Sequence, residues 1–207
     1  MVQNNDSEPP RRGRPRAYDP QTALQQATAR FWRSGYSGTS LDELCAETGM
    51  NRPSLYAAFG DKHTLYLKVL AHYWQLSHAA MHEALADDGK SLKEALKHAY
   101  NAQLALYFGG EELPRGCFVI GTALTEAMED SEIRESLAEG FRALDEAFET
   151  RFRLARERGE LKDTADPTAL AVLASALLHT LAIRARAGTN FAELREIAGK
   201  AVNVICS

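Results

Sequence analysis

Apolar residues recur at three- and four-residue steps along almost the whole chain, the period of helices that bury one face. No stretch alternates apolar and polar residues over a useful length, so no sheet is predicted. Cap residues divide the pattern into about nine helices. Asp19 followed by Pro20 opens the first, because the aspartate can accept a free N–H and the proline stands where none is needed. Leu24, Ala27, Thr28, Phe31 and Trp32 form its stripe and Gly35 ends it. "TSLDE" offers two overlapping capping boxes, Thr39 with Asp42 and Ser40 with Glu43, for a short helix to about Glu47. Asn51 caps a third, "RPSLYAAF", and Gly60-Asp61 opens a long fourth to about Ala86. Ser91 with Glu94 begins a fifth to about Phe108, and a sixth is expected over about residues 116–127. Ile133, Leu137, Phe141, Leu144, Phe148 and Phe152 mark a seventh, from Asp130 or Ser131 to Gly159. Asp166-Pro167 opens an eighth to about Ala187, and Asn190 with Glu193 a ninth. The expected fold class is all-α.

Two short helices around Gly49, the second starting about four residues after the first ends, have the spacing of a helix-turn-helix. Leu41, Leu44 and Cys45 on the first helix and Leu55 and Phe59 on the second would lock the pair together. Cys45 then acts as a small hydrophobe. The remaining face of the second helix carries the chemistry. Arg52 lies in the first turn, where an arginine can bond guanine O6 and N7. Pro53 can press on a thymine methyl or a sugar. Ser54 and Tyr56 bring hydroxyls suited to phosphates, as do Thr39 and Ser40 at a helix N-terminus, capped like Asn51. Lys62, opening the next helix, can clamp the DNA backbone.

The stretch "TSLDELCAETGMNRPSLYAAFGDK" (Thr39 to Lys62) resembles the DNA-binding signature of TetR/AcrR-type transcriptional regulators. The resemblance is specific over about residues 17–68 and weak beyond. Asn51 stands where serine is usual, and Ala57 and Ala58 where bulkier residues are frequent. That shifts weight to Arg52, Tyr56 and the basic arm. The resemblance implies an all-α homodimer with a helix-turn-helix domain over residues 17–63 (the motif itself 39–59). A larger ligand-binding and dimerisation domain follows over 64–207. It also implies that helices eight and nine build a four-helix dimer interface.

Charge sharpens this division. The chain of 207 residues has a formal net charge of -4. Residues 11–62 nevertheless hold eight Lys/Arg against five Asp/Glu, whereas 69–207 hold fifteen against twenty-one. A basic front on an acidic body points to an anionic partner for the front alone. Within residues 1–16, rich in proline (Pro9, Pro10, Pro15), lies "RRGRPR". Its Arg12-Gly13-Arg14-Pro15 core resembles an AT-hook, whose arginines, with Arg16 here, can lie along a narrow A·T minor groove. The arm is predicted to lack regular structure.

Other chemistry narrows the reading. Three widely spaced cysteines form neither a disulfide framework nor a CxxC site. No run approaches about 18 consecutive apolar residues, and the first ten residues are polar, so a cytoplasmic protein without a membrane partner is expected. "GKS" at residues 89–91 lacks the glycine and strand of a P-loop, and His78 with His82 has no third metal ligand. No cofactor, metal or enzyme activity is expected. Helix eight is apolar on nearly every side, so a second copy is the simplest cover for its outer face. Ala169, Leu173, Ala176, Leu177 and Ile183 are the candidates. Trp74, Tyr100, Tyr107, Phe118 and Phe148, with Cys117, are candidate pocket residues for a small molecule between helices four and seven. Cys117, near a helix start and Arg115, reads either as an activated thiol or as a small packing residue. The function that unites these features is a one-component regulator, a repressor released from a palindromic operator by an inducer. Alternatives are an activating or architectural DNA binder without ligand, a switch at Cys117, or a carrier or enzyme with a vestigial reading head.

Overall fold

The computed structural model describes residues 19–109 and 114–207. The arm and its Arg12, Arg14 and Arg16 lie outside them. Among the described residues there is no strand, and nine α-helices follow in order. They are α1 (Pro20–Ser34), α2 (Leu41–Thr48), α3 (Arg52–Phe59), α4 (Lys62–Leu85), α5 (Leu92–Phe108), α6 (Phe118–Thr122), α7 (Ser131–Glu157), α8 (Pro167–Arg186) and α9 (Phe191–Ile205).

The helix starts follow the caps. Asp19, Asn51, Asp61, Asp130, Asp166 and Asn190 each accept backbone N–H groups of the following turn. Ser40–Glu43 and Ser91–Glu94 form complete capping boxes. Gly49 closes α2 at φ 64°, ψ 13°, the left-handed conformation that only glycine adopts without cost.

The expected sixth helix is a correction. α6 spans five residues, and a separate 3-10 turn follows at Glu126–Met128. Gly121 and Thr122 are poor helix formers. The Thr122 hydroxyl donates back to the Phe118 carbonyl (2.9 Å) and also meets the buried Tyr66 hydroxyl (2.8 Å). Tertiary packing therefore sets this segment, against α1, α4 and α8.

α4 joins the two halves of the molecule. Leu65, Tyr66 and Val69 at its start are buried toward α1 and α3. Further along, Trp74 meets Phe141 of α7 and Ser77 bonds Gln103 of α5. An aromatic cluster fills the junction: Phe31 meets Tyr66 edge-on at 5.1 Å, and Trp32 meets Tyr73 (5.4 Å) and Phe118 (5.5 Å). Such edge-to-face contacts add to the burial term and fix orientation.

α8 is the most apolar of the long helices, as its sequence suggests. It is long and apolar enough to cross a membrane by composition, with a mean hydropathy of 1.6 over 18 residues. Its alanines raise that value while leaving it narrow. Ala171, Ala174, Leu178, Leu181, Ala182 and Ala185 are buried against neighbouring helices, as in the core helix of a globular domain.

Candidate nucleic-acid interface

α2 and α3 meet through a small core. Leu44, Met50, Leu55 and Phe59 are buried, with Leu41 and Cys45 half-buried beside them. Met50, in the turn, is a contributor that helical spacing did not flag. Leu55 and Phe59 face inward, so the opposite side of α3 is presented outward. Asn51, Arg52, Pro53, Tyr56 and Ala57 are exposed there, and Ser54 is half-buried. The Asn51 side chain accepts the Ser54 N–H at 2.9 Å, which ties the start of α3 to its cap. Tyr56 is 45% exposed, and its hydroxyl makes no hydrogen bond among the described residues.

Arg52 is extended toward α2. Its Nε and Nη2 donate to one oxygen of Asp42, at 3.0 and 2.7 Å. The carboxylate raises the guanidinium pKa further, first through these bonds. Both side chains are exposed, at 55% and 76%, so the pair lies on the outer surface of the motif. Asp42 is a residue of this surface that sequence reasoning used only as a cap.

Thr39 corrects the expected phosphate contacts. It is 1% exposed, its hydroxyl donates to the Gly35 carbonyl (2.7 Å) and its N–H to Tyr36 (3.2 Å). The turn before it is tight, since a Cβ on Gly38 would lie 2.2 Å from the Ser34 carbonyl oxygen. Thr39 is thereby folded beneath the helix and its hydrogen-bonding groups are used internally. Ser40 stays exposed and is paired with Glu43. Lys62 is half-buried, its ammonium 4.3 Å from the centre of the Tyr36 ring, and loss of hydration lowers its pKa. The clamp residue therefore rests on an aromatic face.

Behind the reading head, three polar contacts tie the segment from Cys117 to Asp130 to the turn after α1 and the start of α4, beside the packing of Phe118 on Trp32. Tyr66 meets Thr122, Ser37 donates to Glu126 (2.8 Å), and His63 Nε2 lies 2.6 Å from Asp130 Oδ2. Cys117 is here, and its surroundings favour the packing reading over the activated thiol. The thiol is buried and its pKa is raised by loss of hydration, although the Tyr73 hydroxyl donates to Sγ at 3.1 Å. Arg115 does not serve the thiol. Its guanidinium stacks over Trp32, 5.6 Å from the ring centre.

The six candidate pocket residues are all buried. They fall into adjoining clusters. Cys117 and Phe118 sit with Tyr73, Trp74 meets Phe141 and His78, and Tyr100 meets Phe148. Three ring nitrogens in this region lack hydrogen-bond partners among the described residues: Trp32 Nε1, whose ring packs on Tyr73 and Phe118, and Trp74 Nε1 and His179 Nε2, whose rings both pack on Phe141. Burial lowers the His179 pKa, against the opposing charge of Asp145. His78 is bound to the Gly140 carbonyl (3.1 Å). Among the described residues no group of three or more potential metal ligands forms.

The five interface candidates lie on the outer side of α8. Ala169, Leu173, Ala176 and Ile183 are exposed and Leu177 is half-buried. Val172, at 54% exposure, extends this apolar side of α8, and Val204 of α9 is 75% exposed. Neither was singled out by helix period alone.

Comparison with known proteins agrees with this geometry. The model for bacterial regulatory proteins of the tetR family matches residues 23–69, and the tetracyclin repressor-like C-terminal domain matches residues 92–198. The chain is 36% identical over 190 residues to the HTH-type transcriptional repressor ComR of Escherichia coli (strain K12), covering 91% of this chain and 89% of that protein. It is 31% identical over 160 residues to the HTH-type regulator YezE of Bacillus subtilis (strain 168), covering 77% and 81%. A cysteine mutant of the TetR family transcriptional regulator CifR, solved with 26 bp double-strand operator DNA, superposes with a TM-score of 0.82 at 33% identity. That match covers 92% of this chain and 98% of the other. A reading head of this geometry, joined to a helical body that matches along its length, leaves one assignment: the chain belongs to the TetR family of bacterial regulatory proteins.

Proposed function

We propose that this protein is a homodimeric transcriptional repressor that binds a palindromic operator through α3 and is released by a small molecule held in the helical body. The observation that carries the reading is the outward face of α3, with Arg52, Pro53 and Tyr56 exposed on a helix locked by Leu55 and Phe59. The sequence similarity to the repressor ComR and the overall superposition on operator-bound CifR support the reading.

In this reading Arg52 reads a guanine, and Pro53 packs on a base or sugar. Asn51, Ser54, Tyr56, Ser40 and Lys62 hold the backbone, the lysine by swinging off Tyr36. The arginines of residues 1–16 lie in the adjacent minor groove. Residues 17–63 form the DNA-binding part and 64–207 the sensing and dimerising part. The protein acts in the cytoplasm, as a regulator and not as an enzyme.

Dimerisation covers the apolar side of α8 and α9. The two-fold axis then sets half-sites one helical turn, roughly 34–36 Å, apart or a multiple of it. The inducer enters among α4, α5, α7 and α8. Unpartnered buried polar atoms are uncommon, and Trp74 Nε1 and His179 Nε2 offer it a donor and a ring nitrogen. Differential binding to the two dimer spacings releases DNA. Its route to the reading head runs through the contacts of Thr122, Glu126 and Asp130.

The test is selection of bound fragments from the host's own DNA. A shared palindrome with two-fold half-sites is expected. Fragments enriched without any common sequence would overturn the repressor reading.

A further inference from the structure

We infer that Asp42 is a specificity-determining residue, which orients the Arg52 guanidinium for one base while keeping the protein off other DNA. The inference rests on the proposal that α3 reads an operator. A guanidinium has five N–H groups in a fixed plane. Asp42 Oδ1 accepts from Nε and Nη2, which together form one edge of that plane. The other edge, between Nη1 and Nη2, keeps two parallel donors. That edge has the geometry that matches O6 and N7 of guanine. One carboxylate thus takes up the edge that would otherwise swing to a phosphate and leaves the base-reading edge free.

Position supports the role. Arg52 is the first residue of α3 and Asp42 the second of α2. The contact therefore crosses the turn of the motif and joins two helices already fixed by Leu44, Leu55 and Phe59. The arginine loses much of its rotamer freedom before DNA arrives, so less is lost on binding. The pair is exposed, so the carboxylate is not needed to neutralise a buried charge. Asp42 also places a negative charge on the surface proposed to face phosphates. That charge weakens binding to every sequence, and the oriented arginine recovers the loss only where guanine is present. Discrimination by a repulsive element paired with an attractive one is a general route to specificity.

The test is a set of affinities for the selected operator, for its single-base variants and for unrelated duplex DNA at fixed salt. The proteins are wild type, Asp42→Ala, Asp42→Asn and Arg52→Ala. Arg52→Ala should flatten the preference at one position of each half-site, which establishes that the arginine reads that base. Asp42→Ala should lower the preference at that same position about 5- to 10-fold and raise affinity for unrelated DNA about 2- to 5-fold. Asp42→Asn keeps the accepting oxygen and loses the charge. It should hold the base preference within about 2-fold of wild type while still gaining affinity for unrelated DNA. If Asp42→Ala keeps the wild-type preference at every position, the inference is overturned and the repressor reading stands. If it binds the operator more tightly with preference intact, Asp42 merely competes for Arg52, and the inference is again overturned. If Arg52→Ala flattens no position, the reading of α3 falls and takes the inference with it.

Discussion

The apolar face of α8 gives a prediction whose size can be worked from the structure. Leu173 is 60% exposed in the protomer. Fully burying a leucine stabilises by about 1.5–3 kcal/mol, so covering what remains exposed contributes about 1–2 kcal/mol per protomer. A two-fold interface uses the residue twice, which makes about 2–4 kcal/mol per dimer. Leu173→Ala should therefore weaken dimerisation by up to about 2–4 kcal/mol, roughly 30- to 1,000-fold in the dissociation constant. Leu173→Glu should do more, because each copy would also bring an unpaired carboxylate into the contact. Glutamate is a good helix former, and Leu173 points away from the protomer core, so α8 itself should persist. Sedimentation equilibrium across a range of concentrations, with circular dichroism in parallel, checks both statements. Dimers of wild-type strength in both variants, or a chain that is monomeric to begin with, would refute the reasoning.

Four further outcomes are expected. Cys117 should react with a thiol-directed disulfide reagent far more slowly in the native protein than in urea. Burial raises its pKa above the ordinary thiol value near 8.5, so the thiolate is scarce at neutral pH and gains only as the medium becomes alkaline. Equal native and denatured rates, read by peptide mass spectrometry, would contradict this. Gly140→Ala should destabilise by about 1–2 kcal/mol in urea titration, because its Cβ would lie 2.1 Å from the Trp74 indole. Gly199→Ala, with nothing within 4 Å of the added carbon, should instead stabilise by about 0.5–1 kcal/mol. Deleting residues 1–16 should lower the slope of log affinity against log salt by roughly 2–3, since Arg12, Arg14 and Arg16 no longer displace counterions. An unchanged slope would remove the arm from the interface.

Much of this fold is legible in the sequence because helix caps act locally. Asp19, Asn51, Asp61, Asp130, Asp166 and Asn190 need only the next three residues to do their work, and each opens a helix at the expected place. The inward and outward faces of α3 follow from period alone. Features set by distant contacts were not legible. α6 ends early because Thr122 is held by its own turn and by Tyr66, 56 residues away. Cys117 has the local signs of a reactive thiol, yet burial in the surrounding core raises its pKa despite the hydrogen bond from Tyr73. Thr39 and Ser40 both suit a cap, and the tight turn at Gly38 decides between them. The Arg52–Asp42 pair joins residues ten apart across a turn, a spacing with no periodic signature.

In the proposed complex the start of α3 reads operator bases through Arg52. The most direct measurement compares wild type and Arg52→Ala on the selected operator and on its single-base variants. A loss of about 1–3 kcal/mol per half-site is expected, with indifference to base identity at one position of each half-site. Arg52→Ala that binds as tightly as wild type, and still discriminates at every position, would contradict it.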